Sequence, residues 1–387
     1  LFATVPAPPP PASWRRDETA PRSVPAPRLP RRRLFAWQVA VAAALAVAVT
    51  AVVVLVHRDT SLTVSALPAA AELHCRLPIS ALSNDRTTGF VVLDHGRASF
   101  EPVRTDGMTY VPALGRWVDV PPQRVAPDGR SYVTQTFSGG KTVIHVVDAR
   151  ADRTLLQTNA GLNVFGFSSE GILLIDMSPP AGAPGPASTL NLKLLDPASG
   201  ELRPFPHPPP RLPTVLPGGA VAETSAGYSR ESNAIWLMEY FPATDSTTVG
   251  KYDLASGVTS EWFDGRTDGH GHVNVVGTDA KGVPIMQLAD RDLFHTDPAA
   301  RAGIGQRTLL VTEPHRATVL NQGRVGDAGV AGNLSPLSVN DGDRVWLAAD
   351  DGAIWMYSPA AGFQEMAKVV STSAKGPPGV SISGPCR

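Results

Sequence analysis

The chain has 387 residues, with 34 Lys and Arg against 35 Asp and Glu, a formal net charge of −1, 43 % hydrophobic residues, 37 Pro, 35 Gly and 2 Cys. A charge this close to neutral argues against a nucleic-acid partner, which would call for a basic face. The charge is nevertheless unevenly placed, and that unevenness sets the reading of the N-terminal part.

Residues 1–33 are rich in Pro and carry seven Arg against Asp17 and Glu18, a balance of +5. Tracts such as PAPPPPAS and TAPRSVPAPRLPRRR hold too little apolar surface to offset chain entropy, so a disordered cytosolic tail is expected here. Leu34–Val56 follows, LFAWQVAVAAALAVAVTAVVVLV, without a formal charge. A helix of that length reaches roughly 34 Å and crosses a hydrocarbon core of about 30 Å. Arg31, Arg32 and Arg33 abut it on the N-terminal side, whereas the other flank offers only His57, Arg58 and Asp59. The positive-inside rule therefore puts the N-terminus in the cytoplasm and residues 58–387, about −6 in charge, outside. The apolar run is too long for a signal-peptide core, and the nearest A-x-A-like site, Ala69-Ala70-Ala71, stands well beyond it. Because the chain opens on Leu rather than Met, an additional upstream cytosolic domain is one expectation.

Residues 57–74 read as a juxtamembrane linker. From Cys75 the pattern changes to short runs rich in Val, Ile, Thr and aromatics, bounded by Gly, Pro, Asp and Asn, with no long amphipathic helix. The expected strands are Gly89–Leu93, Ala98–Val103, Ser131–Phe137, Thr142–Asp148, Gly171–Asp176, Thr189–Leu195, Ala234–Tyr240, Thr247–Asp253, Val273–Gly277, Val283–Leu288, Arg307–Thr312, Arg344–Ala348 and Ala353–Tyr357.

A loose repeat threads through them. A polar turn leading into an apolar strand recurs as APDGRSYVT (126–134), SSEGILLI (168–175), SRESNAIWLM (229–238), TDAKGVPIM (278–286) and VNDGDRVWLA (339–348). A second turn follows in several copies: LDPASGEL (195–202), YDLASGVT (252–259) and YSPAAGFQ (357–364). Two hairpins per unit and no helix is the pattern of a propeller, in which each sheet buries both faces on its neighbours. On these turns, residues 76–385 resemble the WD40-like and TolB-like β-propeller families. The resemblance implies an all-β fold of six blades, with seven as the alternative, although the Gly-His…Trp-Asp pair of WD40 repeats is absent. In such a ring the two ends of the chain meet, so Cys75 and Cys386 are expected to form a disulfide in an oxidising outer compartment.

Motifs of chemistry are sparse. Gly139-Gly140-Lys141-Thr142 lacks the upstream Gly of a phosphate loop, and no G-x-S-x-G elbow or EF-hand loop occurs. Asn333-Leu334-Ser335 is a formal glycosylation sequon. The cluster that stands out is Asp268-Gly269-His270-Gly271-His272, ahead of a strand beginning at Val273. Asp268, His270 and His272 alternate along an extended segment and so share a side, as a divalent-metal or acid–base site requires. This weakly resembles the streptogramin-type lyases, which are propellers with catalytic His and Glu near a metal; no Glu partner is identifiable here. His207, His295 and His315 are scattered in loops. Trp117, Trp236, Trp262, Trp346 and Trp355 are expected between blades.

Three function classes follow. The first is a membrane-anchored, extracytoplasmic module of bacterial type that binds a ligand, a protein or an envelope polysaccharide, similar in layout to the sensor halves of transmembrane kinases and anti-sigma factors, with no cofactor required. The second is a lyase or hydrolase using His270, His272 and Asp268, with a metal. The third is a purely structural envelope protein.

Overall fold

The apolar strands read from the sequence are apolar on both faces because each serves two neighbours at once. In Arg344–Ala348, Trp346 and Ala348 enter one buried cluster while Val345 and Leu347 enter the next. In Gly171–Asp176, Ile172 and Leu174 pack one way and Leu173 the other. A strand with period-2 geometry can do this only when sandwiched between two sheets. The computed structural model describes residues 62–82, 86–177, 191–207, 223–241, 244–268, 271–290, 301–371 and 379–387, all within one compact unit of residues 60–387.

Six antiparallel sheets of three or more strands succeed one another along the chain. Sheet I orders Gly379–Ile382, His74–Leu82, Arg86–Asp94 and Arg97–Val103. A small hairpin, Thr109–Val111 with Arg116–Val118, leads to sheet II, made of Ser131–Ser138, Lys141–Asp148 and Asp152–Thr158. Sheet III holds Leu162–Ser168, Gly171–Asp176, Asn191–Leu195 and Leu202–Pro204. Sheet IV holds Glu223–Ser229, Ala234–Phe241, Ser246–Asp253 and Thr259–Asp264. Sheet V holds His272–Thr278, Pro284–Ala289, Gly305–Glu313 and Arg316–Arg324. Sheet VI orders Val339–Asp341, Arg344–Ala348, Ala353–Ser358 and Gly362–Ser371, with Leu62–Ala66 as a fifth strand.

A buried cluster seals each junction: II to III, III to IV, IV to V, V to VI, and VI back to I. The remaining junction runs through the hairpin, whose Tyr110 and Trp117 stack edge-on against Phe90 of sheet I at 5.2 and 5.7 Å. Val111 and Val118 of the same hairpin pack with Val125 and Tyr132 at the start of sheet II. This cyclic order is the strand topology of a β-propeller.

The first and last described strands both lie at the closing junction. The N-terminal strand Leu62–Ala66 pairs with Gly362–Ser371, and the C-terminal strand Gly379–Ile382 pairs with His74–Leu82. The Cys75–Cys386 disulfide is present, with Cα atoms 5.6 Å apart. The expected tail 1–33, the apolar run Leu34–Val56 and residues 57–61 lie outside the described residues. The rest of the expected linker 57–74 is part of the domain, which begins before Cys75: Leu62–Ala66 is a strand because its backbone pairs with Ala367–Ser371, and a 3-10 turn at Pro68–Ala70 leads into His74–Leu82. Among the described residues no helix is long and apolar enough to cross a membrane.

The repeat turns take regular places. The first set joins the first and second strands of sheets III, IV, V and VI, and the second set joins the third and fourth strands of III, IV and VI. In LDPASGEL, Asp196 Oδ1 accepts the amides of Ala198 and Ser199 at 2.8 and 2.7 Å, and Gly200 follows at φ 76°. Those amide donors hold the Asp196 carboxyl below its ordinary value.

Candidate functional site

The first strands of sheets III to VI border a cavity of about 880 Å³. Sheets III to VI contribute strand residues to its wall, among them Phe165 from III, Trp236 from IV, Asn274 from V and Asn340 from VI; Tyr110 of the small hairpin, Pro385 beyond the last strand and Ala126 ahead of sheet II complete it. Two features of the chain keep it open. Bulges break the register between Val164 and Gly166 and between Val275 and Gly277, bending the inner strands. Gly277 also lets the neighbouring segment come close, since a Cβ there would stand 2.6 Å from Ser338 Cβ.

Polar links between sheets hold the wall. Tyr228 donates its hydroxyl to the Phe167 carbonyl at 2.5 Å, and burial pushes the Tyr228 phenol well above its usual value, so it stays a donor. Gln135 brackets the strand of sheet III, donating to Leu162 O at 2.6 Å and accepting Val164 N at 2.8 Å. Gln287, buried, donates to Gly332 O at 2.7 Å and accepts Leu334 N at 3.0 Å, tying V to VI. Arg230 donates to the Val125 carbonyl, linking sheet IV to the segment ahead of II.

The inner strands run in a common direction, so the cavity has two chemically different ends. Where they finish, Ser229 Oγ and Thr278 Oγ1 lie 2.9 Å apart, and both donate toward Glu231 Oε2 at 3.4 and 3.3 Å. Where they begin, His272 Nε2 meets Asp245 Oδ1 at 2.7 Å. Tyr240 stacks on the imidazole at 4.5 Å and donates its hydroxyl to the same Asp245 oxygen at 2.9 Å. Asp245 holds this position in the left-handed region, φ 47°, a backbone state that a non-glycine residue adopts at some cost. His272 is 9 % exposed and lines the cavity, so a buried imidazole oriented by a carboxylate faces the enclosed space.

The residues singled out in the sequence are placed differently from one another. His272 joins the Asp245 and Tyr240 group. Asp268 turns to His315, whose Nδ1 lies 2.7 Å from its Oδ2, and the same oxygen accepts the Asp264 amide at 2.9 Å. His270 lies outside the described residues. Asp245 escaped sequence reasoning because it stands 27 positions before His272 and meets it only through the packing of sheets IV and V; a lone Asp in a turn carries no signal of its own.

His315 yields a pH prediction. Its hydrogen bond to Asp268, aided by the charges of Asp268, Glu261 and Asp264, raises the imidazole above its ordinary 6.5. A raised folded value means that the contact's stabilisation is complete below the unfolded value and fades as pH rises through the folded one. NMR titration of His315 should give a midpoint above 6.5, and Asp268→Asn should lower it, whereas an unchanged midpoint would show the pair to be open in solution.

The sequence matches no protein-family model and no curated protein. Among solved structures it is similar to TolB from Acinetobacter baumannii, with 13 % identity, a TM-score of 0.38, and coverage of 80 % of this chain and 67 % of that one. It is also similar to a putative 6-phosphogluconolactonase from Bacteroides fragilis, with 12 % identity, a TM-score of 0.42, and coverage of 78 % and 96 %. A third is the β-propeller domain of the Trilobed protease from Pyrococcus furiosus, with 10 % identity, a TM-score of 0.37, and coverage of 73 % and 75 %. At these scores none of the three brings an activity to this chain, and function rests on the cavity.

Proposed function

We propose that this protein is a single-pass, membrane-anchored binding module of the bacterial envelope. In this reading Leu34–Val56 is the anchor, residues 1–33 stay in the cytoplasm, and residues 75–387 form a six-bladed outward propeller that takes its ligand in the axial cavity. The observation that carries it is the cavity itself, about 880 Å³ and walled by strands of sheets III to VI, the small hairpin and the segments beside sheets I and II. That volume lies within the range of small-molecule sites. Tyr110, Phe165, Tyr228, Trp236 and Tyr240 line it, with hydrogen-bonding groups at both ends. Aromatic walls and polar ends suit an amphipathic ligand such as a sugar ring at the tip of an envelope polysaccharide, which stacks on the rings and bonds at its edges. No cofactor is needed for that role.

Gly227 supplies the test. It lines the cavity, and a Cβ built on it meets nothing within 4 Å, so a side chain at this position has open space. Gly227→Phe should therefore place a ring in the cavity and leave the fold intact, or even firmer, because glycine inside a strand costs about 0.5–1 kcal/mol relative to alanine. A panel of envelope oligosaccharides titrated against tryptophan fluorescence should show saturable binding in the parent and none in the variant. Equal binding in both would remove the cavity as the site, and no saturable binding in the parent would remove the saccharide reading.

A second reading rests on the His272–Asp245 pair. An imidazole oriented by a carboxylate at the wall of a cavity is the arrangement of a general base, which would make the protein a propeller lyase or hydrolase. It predicts turnover of a bound ligand that is lost in Asp245→Asn while binding persists. Turnover unchanged in that variant would end the enzyme reading.

A further inference from the structure

The sheet I hairpin carries a second group of ligand-type side chains, apart from the axial cavity. His74 and Asp94 are direct cross-strand partners, and the chain then turns through His95 and Gly96 at φ 48° and 79° before pairing again at Asp94 and Arg97. Two successive positive φ values make this the tight two-residue connection that suits the twist of a hairpin. The His95 amide donates to Leu73 O at 2.9 Å, which brings the turn alongside the start of the first strand. All three side chains then converge: His74 Nδ1 lies 2.9 Å and His95 Nε2 3.9 Å from the same oxygen, Asp94 Oδ1. The two imidazoles stack, with planes 19° apart and centroids at 5.8 Å.

We propose that His74, Asp94 and His95 form a surface binding site for a divalent transition-metal ion of the zinc class. The donor set is two imidazole nitrogens and one carboxylate oxygen, which suits zinc and its neighbours and does not suit magnesium or calcium, whose sites are built from oxygen. The geometry is close to what that ion requires. Metal–ligand bonds of about 2.0–2.2 Å in a tetrahedron put ligand atoms roughly 3.3 Å apart. The separations of 2.9 and 3.9 Å fall on either side of that, and the ligand atoms of all three residues lie within 4.8 Å of one another. The side chains are 77 %, 52 % and 74 % exposed, so small rotations close the difference without disturbing packing. Three protein ligands leave a fourth position for water or a group from a partner.

Among the described residues no other group of three His, Cys, Asp or Glu residues converges in this way. The other histidine–carboxylate contacts show why. His315 has two acidic neighbours, but Asp268 lies at its Nδ1 and Glu261 at its Nε2, on opposite sides of the ring. His145 and His272 each meet one carboxylate, Asp152 and Asp245. The backbone holds the hairpin group independently of any ion, through the strand register and the left-handed turn. Cys75, next to His74, is fixed by the disulfide, which anchors the first ligand's strand at its beginning.

The test is calorimetric titration of the full chain with zinc chloride at about pH 7.5, where imidazole is mostly neutral, with magnesium chloride as the control. Wild type and His315→Ala should each take up one more equivalent of zinc than His74→Ala or His95→Asn, and magnesium should give no heat of site binding. Asparagine is chosen at position 95 because it tolerates the left-handed conformation. A second measurement needs no variant: in imidazole nitrogen–proton spectra of the wild type, zinc should shift the His74 and His95 signals before any other. Equal zinc uptake in all four proteins, or first shifts at histidines elsewhere, would overturn the site.

Discussion

Replacing Cys75 and Cys386 together with serine is expected to lower the unfolding free energy by about 3–5 kcal/mol while leaving the folded structure recognisable. The bond spans 311 residues. In the chain-entropy model a loop of that length, left open, gains the unfolded state roughly 5–6 kcal/mol, and measured effects usually fall below the model. The fold should survive because the bond is not the only closure. The N-terminal strand still pairs with Gly362–Ser371, and the C-terminal strand still pairs with His74–Leu82. The measurement is guanidinium denaturation of the double variant and of the wild type with and without reductant. Both the variant and the reduced protein should show an earlier midpoint, with far-ultraviolet dichroism at zero denaturant unchanged. Coincident midpoints in all three would mean that the unfolded chain is already compact enough for the crosslink to restrict nothing.

How far the fold was legible depends on which strand of a sheet is considered. All thirteen strands expected from the sequence coincide with or overlap observed ones, and most are middle strands, such as Gly171–Asp176 and Arg344–Ala348, buried on both faces. The strands that were missed are mainly the first and the outermost of each sheet. In Glu223–Ser229, ETSAGYS, residues Ala226, Gly227, Tyr228 and Ser229 line the cavity. Arg316–Arg324, RATVLNQGR, has an open edge and an exposed face. Neither has an apolar run to find, because neither is sandwiched.

The repeat turn at APDGRSYVT also hid a difference. In sheets III to VI this turn connects the first strand to the second, whereas sheet II has no first strand before it, only an isolated bridge between Val125 and Tyr132. Pro121, Pro122 and Pro127 occupy that stretch and cannot supply the amide donors of a ladder, so a single short turn, Pro122–Arg124, stands in its place. The cysteines were legible because they sit at the ends of a domain whose ends must meet. The cavity-wall pair of His272 and Asp245, and the hairpin group of His74, Asp94 and His95, were not, since the first is assembled by the packing of sheet IV on sheet V across 27 residues and the second by strand register across 20.

The second large effect expected is at Trp346, where alanine should cost about 3–5 kcal/mol. Trp346 is fully buried in the cluster between sheets VI and I, among Met356, Val91, Leu93 and Ile79. This is the junction where the first and last described strands lie, so the cavity left by the indole opens at the seam of the ring rather than inside one sheet. As a control, Phe137→Ala removes a side chain that is 71 % exposed and should change stability by less than about 0.5 kcal/mol. A loss below about 1 kcal/mol at Trp346 would mean that the seam relaxes to fill the gap, and that the paired end strands rather than side-chain packing close the ring. Combining Trp346→Ala with the double serine variant separates two kinds of closure. The disulfide acts by restricting the unfolded chain, and the indole acts by filling the folded seam, so their effects should add to within about 0.5 kcal/mol. A combined loss well above the sum would show that the bond also holds the two sheets together in the folded state, taking over the seam once its packing is gone.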